Sequence, residues 1–312
     1  MSWLFKVFQH KLDKKMGFLN KFRKIYFWVF FVWPILKYFF PKITVLSSID
    51  TLEKIQKTHC SCVRLGDGEF GILRGVAGPG FQKTSDTLRG GLYKVLTNRD
   101  EKILLCVPEA FQYKKLHSYT KRARYHWIAI MCKFFPYLKG NLRQDYFYGN
   151  ALVTRPYVDQ NDKGVAIEVF NRFKKIFSGR DLIIIEGEKT RFGVGNNLLS
   201  GAKSVRRIIA PAKNAFERYR EIYAEATRQP KDSLVLIALG PTAKLLTIDL
   251  TQDGFQVLDV GHMDIEYEWY LQKSTKKIPI QGKYVNEVKK GRNVSDDIDL
   301  TQYNKEIIVR IE

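Results

Sequence analysis

A chain of 312 residues, 45% hydrophobic and 27% charged, can bury a sizeable core and is neither disordered nor fibrous. Its net charge of +20 implies an anionic partner: nucleic acid, phospholipid headgroups or phosphorylated substrates. Cys60, Cys62, Cys106 and Cys132 form neither a disulfide framework nor paired C-x-x-C zinc spacing, so buried thiols in a reducing compartment are expected.

Residues 1–42 are basic and aromatic, with Asp13 the only acid. The apolar run from Ile25 to Phe40 is broken by Pro34 and Lys37, and falls short of the roughly 20 residues a spanning helix needs. No small-residue cleavage site follows it. Lys and Arg beside Trp and Phe fit a helical segment lying among the headgroups of an anionic leaflet, peripheral to the cytoplasmic face of the plasma membrane. The other reading is a helix packed on the domain, or on a second subunit of a homodimer. Much of the excess charge lies here, and no zinc finger, helix-turn-helix or RNA-binding aromatic signature appears, so nucleic acid is not an expected partner.

Residues 43–312 read as one α/β domain. SSIDTLEKIQK is a helix with a cap-like Ser48, and CSCVRL a strand running into the glycine-rich turn GDGEFGILRG. There Asp67 and Glu69 flank Gly68, Gly66 loosens the turn, and Arg64 supplies a fork for phosphate or carboxylate. The competing reading is a tight turn with exposed acids. SDTLRGGLYKVLTN is helical despite Gly90 and Gly91, KILLCVP is a strand, and HSYTKRARYHWIAIMCKFF is a basic amphipathic helix. Beyond it strand and helix alternate: helix VAIEVFNRFKKIF, strand DLIIIEG, a glycine-rich loop entering a helix, strand SVRRIIAP, helix NAFERYREIYAEATRQ, strand DSLVLIALG, helix PTAKLLTIDLTQDG and strand FQVLDVG. EIIVRI is a possible last strand. Alternation of this kind predicts a mostly parallel sheet with helices on both faces.

Three strand ends carry anion-binding hardware. EGEKTRFGVGNN offers Lys189, Arg191, Gly193, Gly195 and Asn196 ahead of the expected helix, without matching a Rossmann or Walker fingerprint. LGPTAK places Gly240, Pro241 and Thr242 at a strand-to-helix turn, and APAKNAF places Lys213 and Asn214 at another. Each could be no more than a helix cap. The fourth strand end is GHMDIEYEW, with His262, Asp264 and Glu266. If its backbone stays extended, Asp264 and Glu266 point the same way and can share a hard divalent cation such as Mn2+ or Mg2+. If instead a helix begins here, these are the acids of its first turn. A cation–diphosphate site that holds a departing nucleoside diphosphate while a sugar is transferred accounts for the set, with His262 near metal or phosphate. Nucleophile signatures such as G-x-S-x-G are missing. A carboxylate, Asp67 ahead of Glu69, is the expected base for the acceptor hydroxyl.

RLGDGEFG, IIIEGEKTRFGVGNNLL, RRIIAPAKNAFERYREI, LIALGPTAKLL, and DVGHMDIEYEWYL followed by GKYVNEV together resemble the GT-D-type glycosyltransferases. These are bacterial enzymes first catalogued as a domain of unknown function. The resemblance runs from about Ile43 to Val288 and leaves the first forty residues uncovered. It implies a Rossmann-like fold distinct from the GT-A and GT-B types, a UDP-sugar donor, commonly UDP-glucose, and a divalent metal on a D-x-E motif falling on Asp264 and Glu266. It also implies that the GDGE signature, Gly66 to Glu69, lies near the donor sugar. The expected activity is hexosyl transfer onto a growing cell-surface glycan, with a lipid-linked acceptor among the expected partners. The rivals are a metal-dependent nucleotide phosphotransferase or hydrolase, and a non-catalytic scaffold of a glycan assembly complex.

Overall fold

The computed structural model of the protein describes residues 27–76 and 78–312. The strands are β1 (Thr44–Val45), β2 (Ser61–Arg64), β3 (Ile103–Val107), β4 (Phe147–Asn150), β5 (Asp181–Gly187), β6 (Ser204–Ala210), β7 (Leu234–Ala238), β8 (Gln256–Asp259) and β9 (Ile307–Arg310). They form one sheet in the order β1-β4-β3-β2-β8-β7-β5-β6-β9, and every pairing in it is parallel. From β2 the chain works outward through β3 and β4. It re-enters at β5 and works back through β7 to β8, so the direction of travel reverses at the β2–β8 seam. In an open α/β sheet the crevice at the carboxyl ends of strands beside such a seam is where ligands bind.

The central strands are buried on both faces, which is why they read as unbroken apolar runs. Alternate residues feed different cores. Cys62, Leu104, Leu182, Leu236 and Leu258 join one continuous layer under α2 (Ser48–Thr58) and α6 (Val165–Phe177). On the opposite face the core divides. Val63 and Leu105 meet α4 (Asp86–Leu96) and α5 (Lys121–Asn141). Ile183, Val235 and Val257 meet α7 (Tyr219–Thr227) and α8 (Pro241–Gln252). Helix α8 spans the division, giving Leu246 and Leu250 to one core and Ile248 to the other. Gly91 lets α4 approach it, because a Cβ there would lie 2.3 Å from a methyl of Leu245.

The structure departs from the sequence reading in three places and bears it out in a fourth. Ser47, not Ser48, caps α2, its Oγ accepting from the Asp50 amide at 3.1 Å. GDGEFGIL is not merely a turn but the short helix α3 (Asp67–Leu73). The loop after β5 runs through turns directly into β6 and enters no helix. The expected final strand exists as β9, parallel to β6.

Of the N-terminal segment, residues 27–42 are described; the expectation for residues 1–26 lies outside the described residues. A π-helical turn, Trp28–Val32, continues into α1 (Trp33–Leu36). Val29, Trp33 and Phe40 are buried in the domain core, so one side packs on the domain. Phe31, Ile35, Tyr38 and Phe39 stay exposed. No helix among the described residues is long and apolar enough to cross a membrane.

Candidate active site

A cleft of about 690 Å³ opens over the carboxyl ends of the strands at the seam. One wall is built from turns: Gly187, Glu188 and Thr190 at the end of β5, Pro211, Ala212, Asn214 and Ala215 after β6, and Leu239–Gly240 after β7. The other wall is α5. Asp67 and Glu69 of α3, and His262 after β8, stand between them.

The floor is a chain of buried ion pairs. Arg64, the last residue of β2, donates from Nε to the Asp259 carbonyl at 2.7 Å and from Nη2 to Asp259 Oδ1 at 2.9 Å. Its Nη1 reaches the Ala151 carbonyl at 3.0 Å and Thr154 Oγ1 at 2.7 Å. The guanidinium is therefore spent on tying β2 to β8 and to the loop after β4, and the phosphate fork expected of it is not available. Lys244, one turn into α8, adds a second cation, with Nζ 2.7 Å from Asp259 Oδ2 and 3.7 Å from Glu69 Oε1. Burial alone would raise the Asp259 carboxyl, but Arg64 and Lys244 outweigh it and hold Asp259 below its ordinary range.

Glu69 reaches back so that Oε2 accepts from the Gly66 amide at 2.8 Å. Asp67 projects into the cleft with His126 Nε2 at 3.2 Å. Its surroundings desolvate it, yet the His126 hydrogen bond, the Arg155 charge and the Gly68 amide together hold its carboxyl below the usual aspartate range. His262 is pushed down to about 4 by burial and by the neighbouring Arg155, so its imidazole is neutral near pH 7. Arg155 pairs in turn with Glu287, which Lys277 also meets at 2.6 Å. Burial works against the Glu287 carboxylate, but Arg155, His262 and Lys277 hold it far below the carboxylate range.

The expected Asp264–Glu266 pair does not converge. Residues Met263–Leu271 form helix α9, so the acids of a helical first turn, the alternative reading, are what the chain contains. On a helix, residues two apart face different ways and residues four apart share a face. Asp264 accordingly pairs with Glu268: Asn196 Nδ2 donates to each at 2.7 Å, and Lys283 Nζ lies 2.6 Å from Asp264 and 2.9 Å from Glu268. Glu266 turns away, its Oε2 accepting from the Tyr157 and Val158 amides at 3.3 and 3.1 Å. Its other oxygen is buried with no hydrogen-bond partner. Burial pushes this carboxyl up to about 7, against the pull of Arg155 and the Val158 amide. These two residues do not fit a shared divalent cation: an ammonium already neutralises one, and the other is outside the cleft wall. Among the described residues no three His, Cys, Asp or Glu side chains gather as a metal cage.

The loop after β5 is likewise repurposed. Arg191 is buried and donates to the Gly282 carbonyl at 2.8 Å and to Asp296, clamping two loop segments of the C-terminal region rather than facing an anion. Lys189, Gly193, Gly195 and Asn196 are not among the cleft walls, and neither are Lys213, Pro241 and Thr242. Asn214, Gly240, Arg64, Gly66, Gly68, Asp67, Glu69, His262 and Asp264 are. Sequence reasoning passed over Lys244, Asp259, His126, Arg155 and Glu287. Lys244 and Glu287 lie inside the quoted LGPTAK and GKYVNEV stretches; the Arg64–Asp259 pair, 195 positions apart, left no local signal.

The family described as the glycosyltransferase GT-D fold matches residues 62–288. The chain is 36% identical over 266 residues to "Glycosyltransferase GlyD" of Streptococcus pneumoniae serotype 4 (84% of this chain, 32% of that protein). It is 32% identical over 275 residues to "Probable glycosyl transferase Gly" of Streptococcus gordonii (86% of this chain, 39% of that protein). It thus spans about a third of the length of these curated relatives. A solved structure described as the domain of unknown function 1792 with "a distinct glycosyltransferase fold" superposes with a TM-score of 0.81 at 34% identity, covering 87% of this chain and 96% of that one. A glycosyltransferase of the same domain from Streptococcus sanguinis gives 0.81 at 31% identity, covering 86% and 100%.

Proposed function

Because the chain belongs to the GT-D-fold glycosyltransferases, we propose that it moves a hexose, glucose first among them, from a UDP-sugar to a hydroxyl of a growing cell-surface glycan. The observation that carries this reading is the cleft itself. It lies at the carboxyl ends of parallel strands where the chain reverses direction, with backbone turns on one wall and charged side chains below.

The turns after β5, β6 and β7 form the donor wall, where backbone amides can approach a diphosphate. Lys244 brings a fixed ammonium to the floor between that wall and Glu69. A charge pre-positioned in a partly desolvated site stabilises the departing diphosphate without reorganising as the bond breaks. His262, neutral, can donate or accept a hydrogen bond there without adding charge.

A divalent cation, Mn2+ or Mg2+, would supply electrophilic assistance to the leaving diphosphate. The carboxylate that would hold it is Asp67, which projects into the cleft; Glu69, two residues on in the same helix, is occupied by the Gly66 amide and Lys244. A carboxylate held below its usual range is a poor proton acceptor and a good ligand for a hard cation, which favours this role for Asp67 over that of acceptor base.

Incubating the full chain with Mn2+ and a panel of UDP-sugars, and measuring UDP release with and without a glycan acceptor, tests the proposal. Acceptor-stimulated release from one UDP-hexose is expected. Phosphate release from the nucleotide itself would mark a hydrolase or phosphotransferase, and no nucleotide affinity at all would mark a scaffold.

A further inference from the structure

Resting on the transferase reading, we propose that the α5 wall of the cleft is the acceptor subsite and takes an amphiphilic phosphate ester, an acceptor whose sugar is carried by a phosphate on an apolar chain. The residues that α5 turns to the cleft include Arg122, His126, Ile130 and Lys133. Their spacing of four, four and three places them on one stripe, with about 16 Å between its ends. Trp127 and Phe134 fill in beside them. The stripe is thus cationic at both ends, with His126 and the apolar Trp127 and Ile130 between.

Its charge is not spent. On the cleft floor each cation already has a carboxylate: Arg64 and Lys244 share Asp259, Lys277 and Arg155 share Glu287. Among the described residues Arg122 and Lys133 are in no ion pair, and both are exposed; Lys133 lies over the Phe134 ring at 5.0 Å. The acid facing the stripe is Asp67, through His126. Uncompensated cations in a cleft attract an anion, and the donor's diphosphate has its own wall opposite. The apolar residues between the cations would gain nothing from a free inorganic anion but would cover an alkyl chain.

The same helix leads outward. On its far side α5 packs against the aromatic segment: Phe135 meets Phe40 at a ring separation of 6.2 Å, and Tyr125 meets Phe30 at 6.0 Å. That segment exposes Phe31, Ile35 and Phe39. One helix therefore carries a cleft wall on one side and a plate of exposed apolar side chains on the other. An acceptor anchored in a lipid surface under that plate would reach the cleft along α5.

The test uses the full chain saturated with UDP and Mn2+, titrated with n-octyl phosphate below its micelle concentration. Binding is expected, and the double variant R122Q/K133Q should weaken it about tenfold or more, the loss of charge-assisted hydrogen bonds. UDP affinity should not change. Methyl phosphate and n-octyl glucoside, lacking the chain and the charge respectively, should each bind at least about tenfold less tightly than n-octyl phosphate. Equal binding of n-octyl phosphate by the double variant would overturn the proposal, as would methyl phosphate or octyl glucoside matching it. Loss of UDP affinity in the variant would also overturn it, by assigning these cations to the donor. The transferase reading fails separately: a wild-type protein that takes n-octyl phosphate but has no affinity for UDP would refute that reading and leave the anionic subsite standing.

Discussion

Asp67 stands where two roles for a carboxylate compete, and a conservative change separates them. Asp67→Asn should cut Mn2+-dependent UDP affinity by about tenfold or more and turnover by roughly a hundred- to a thousandfold. Calorimetry with and without Mn2+, beside initial rates, reads both. Turnover lost with nucleotide affinity intact would return Asp67 to the role of acceptor base. Glu266 makes a different point. Its folded-state carboxyl sits near 7 because it is buried, above the ordinary 4.5. The native protein thus binds more protons than the unfolded chain between about pH 4.5 and 7, and stability is lost as pH rises through that window. Glu266→Gln keeps an oxygen for the Tyr157 and Val158 amides and removes the charge. Chemical denaturation should show the variant gaining on the wild type from pH 5 to pH 8, with UDP binding preserved. A variant with the wild-type pH slope, or one without nucleotide affinity, would contradict this placement.

At the scale of elements, the instructive contrast is between α9 and its sequence. Met263 to Trp269 are all buried, so the helix has no polar side to give it a helical rhythm, and D-x-E-x-E alternates as a strand would. The pairing that matters, Asp264 with Glu268, is visible only once the segment is known to be helical. The alternation of the later strands and helices was legible for the opposite reason: strands buried on both faces are apolar throughout, and the amphipathic α6 repeats every third or fourth residue. β1 and β4 escaped notice because two residues, and the four residues FYGN, carry too little pattern. The turn from β8 into α9 depends on Gly261, whose φ is +47° and whose added Cβ would stand 2.1 Å from Arg64 Nη2. Gly261→Ala should therefore cost about 2–4 kcal/mol, combining backbone strain with displacement of a buried ion pair. Gly195, at φ +77° with open space around it, isolates the backbone share. Gly195→Ala should cost only about 1 kcal/mol. Equal losses in urea denaturation would mean that the Arg64 contact is immaterial.

For the whole molecule, the basic aromatic N-terminal segment is two things at once. Removing it would open the domain, because its Val29, Trp33 and Phe40 complete a core. Its exposed residues can be changed instead. Replacing Phe31, Ile35 and Phe39 by Ser should leave the thermal midpoint within a few degrees and reduce flotation with anionic liposomes severalfold. Flotation of the wild type should weaken with salt without vanishing, because apolar burial is not screened. A wild type that stays at the bottom of the gradient and forms dimers through these side chains would make the segment a dimerisation arm.

The seam that positions the cleft is also where the backbone is least continuous. β5 and β6 share seven residue pairs, β2 and β3 four, but β2 and β8 only one, Cys62 with Leu258. Side chains splice the rest: Ser61 Oγ accepts from the Val257 amide at 2.9 Å and from Thr251 Oγ1 at 2.7 Å, and Asp259 Oδ2 accepts from the Arg64 amide at 3.3 Å. Amides paired to hydroxyl and carboxylate oxygens can be released without unravelling a ladder, so the sheet should open to deuterium as two cooperative blocks. Exchange at Arg64 and Val257 should run well ahead of that at Ile183 and Leu236, and bound nucleotide, by bridging the blocks, should slow the first pair while scarcely affecting the second.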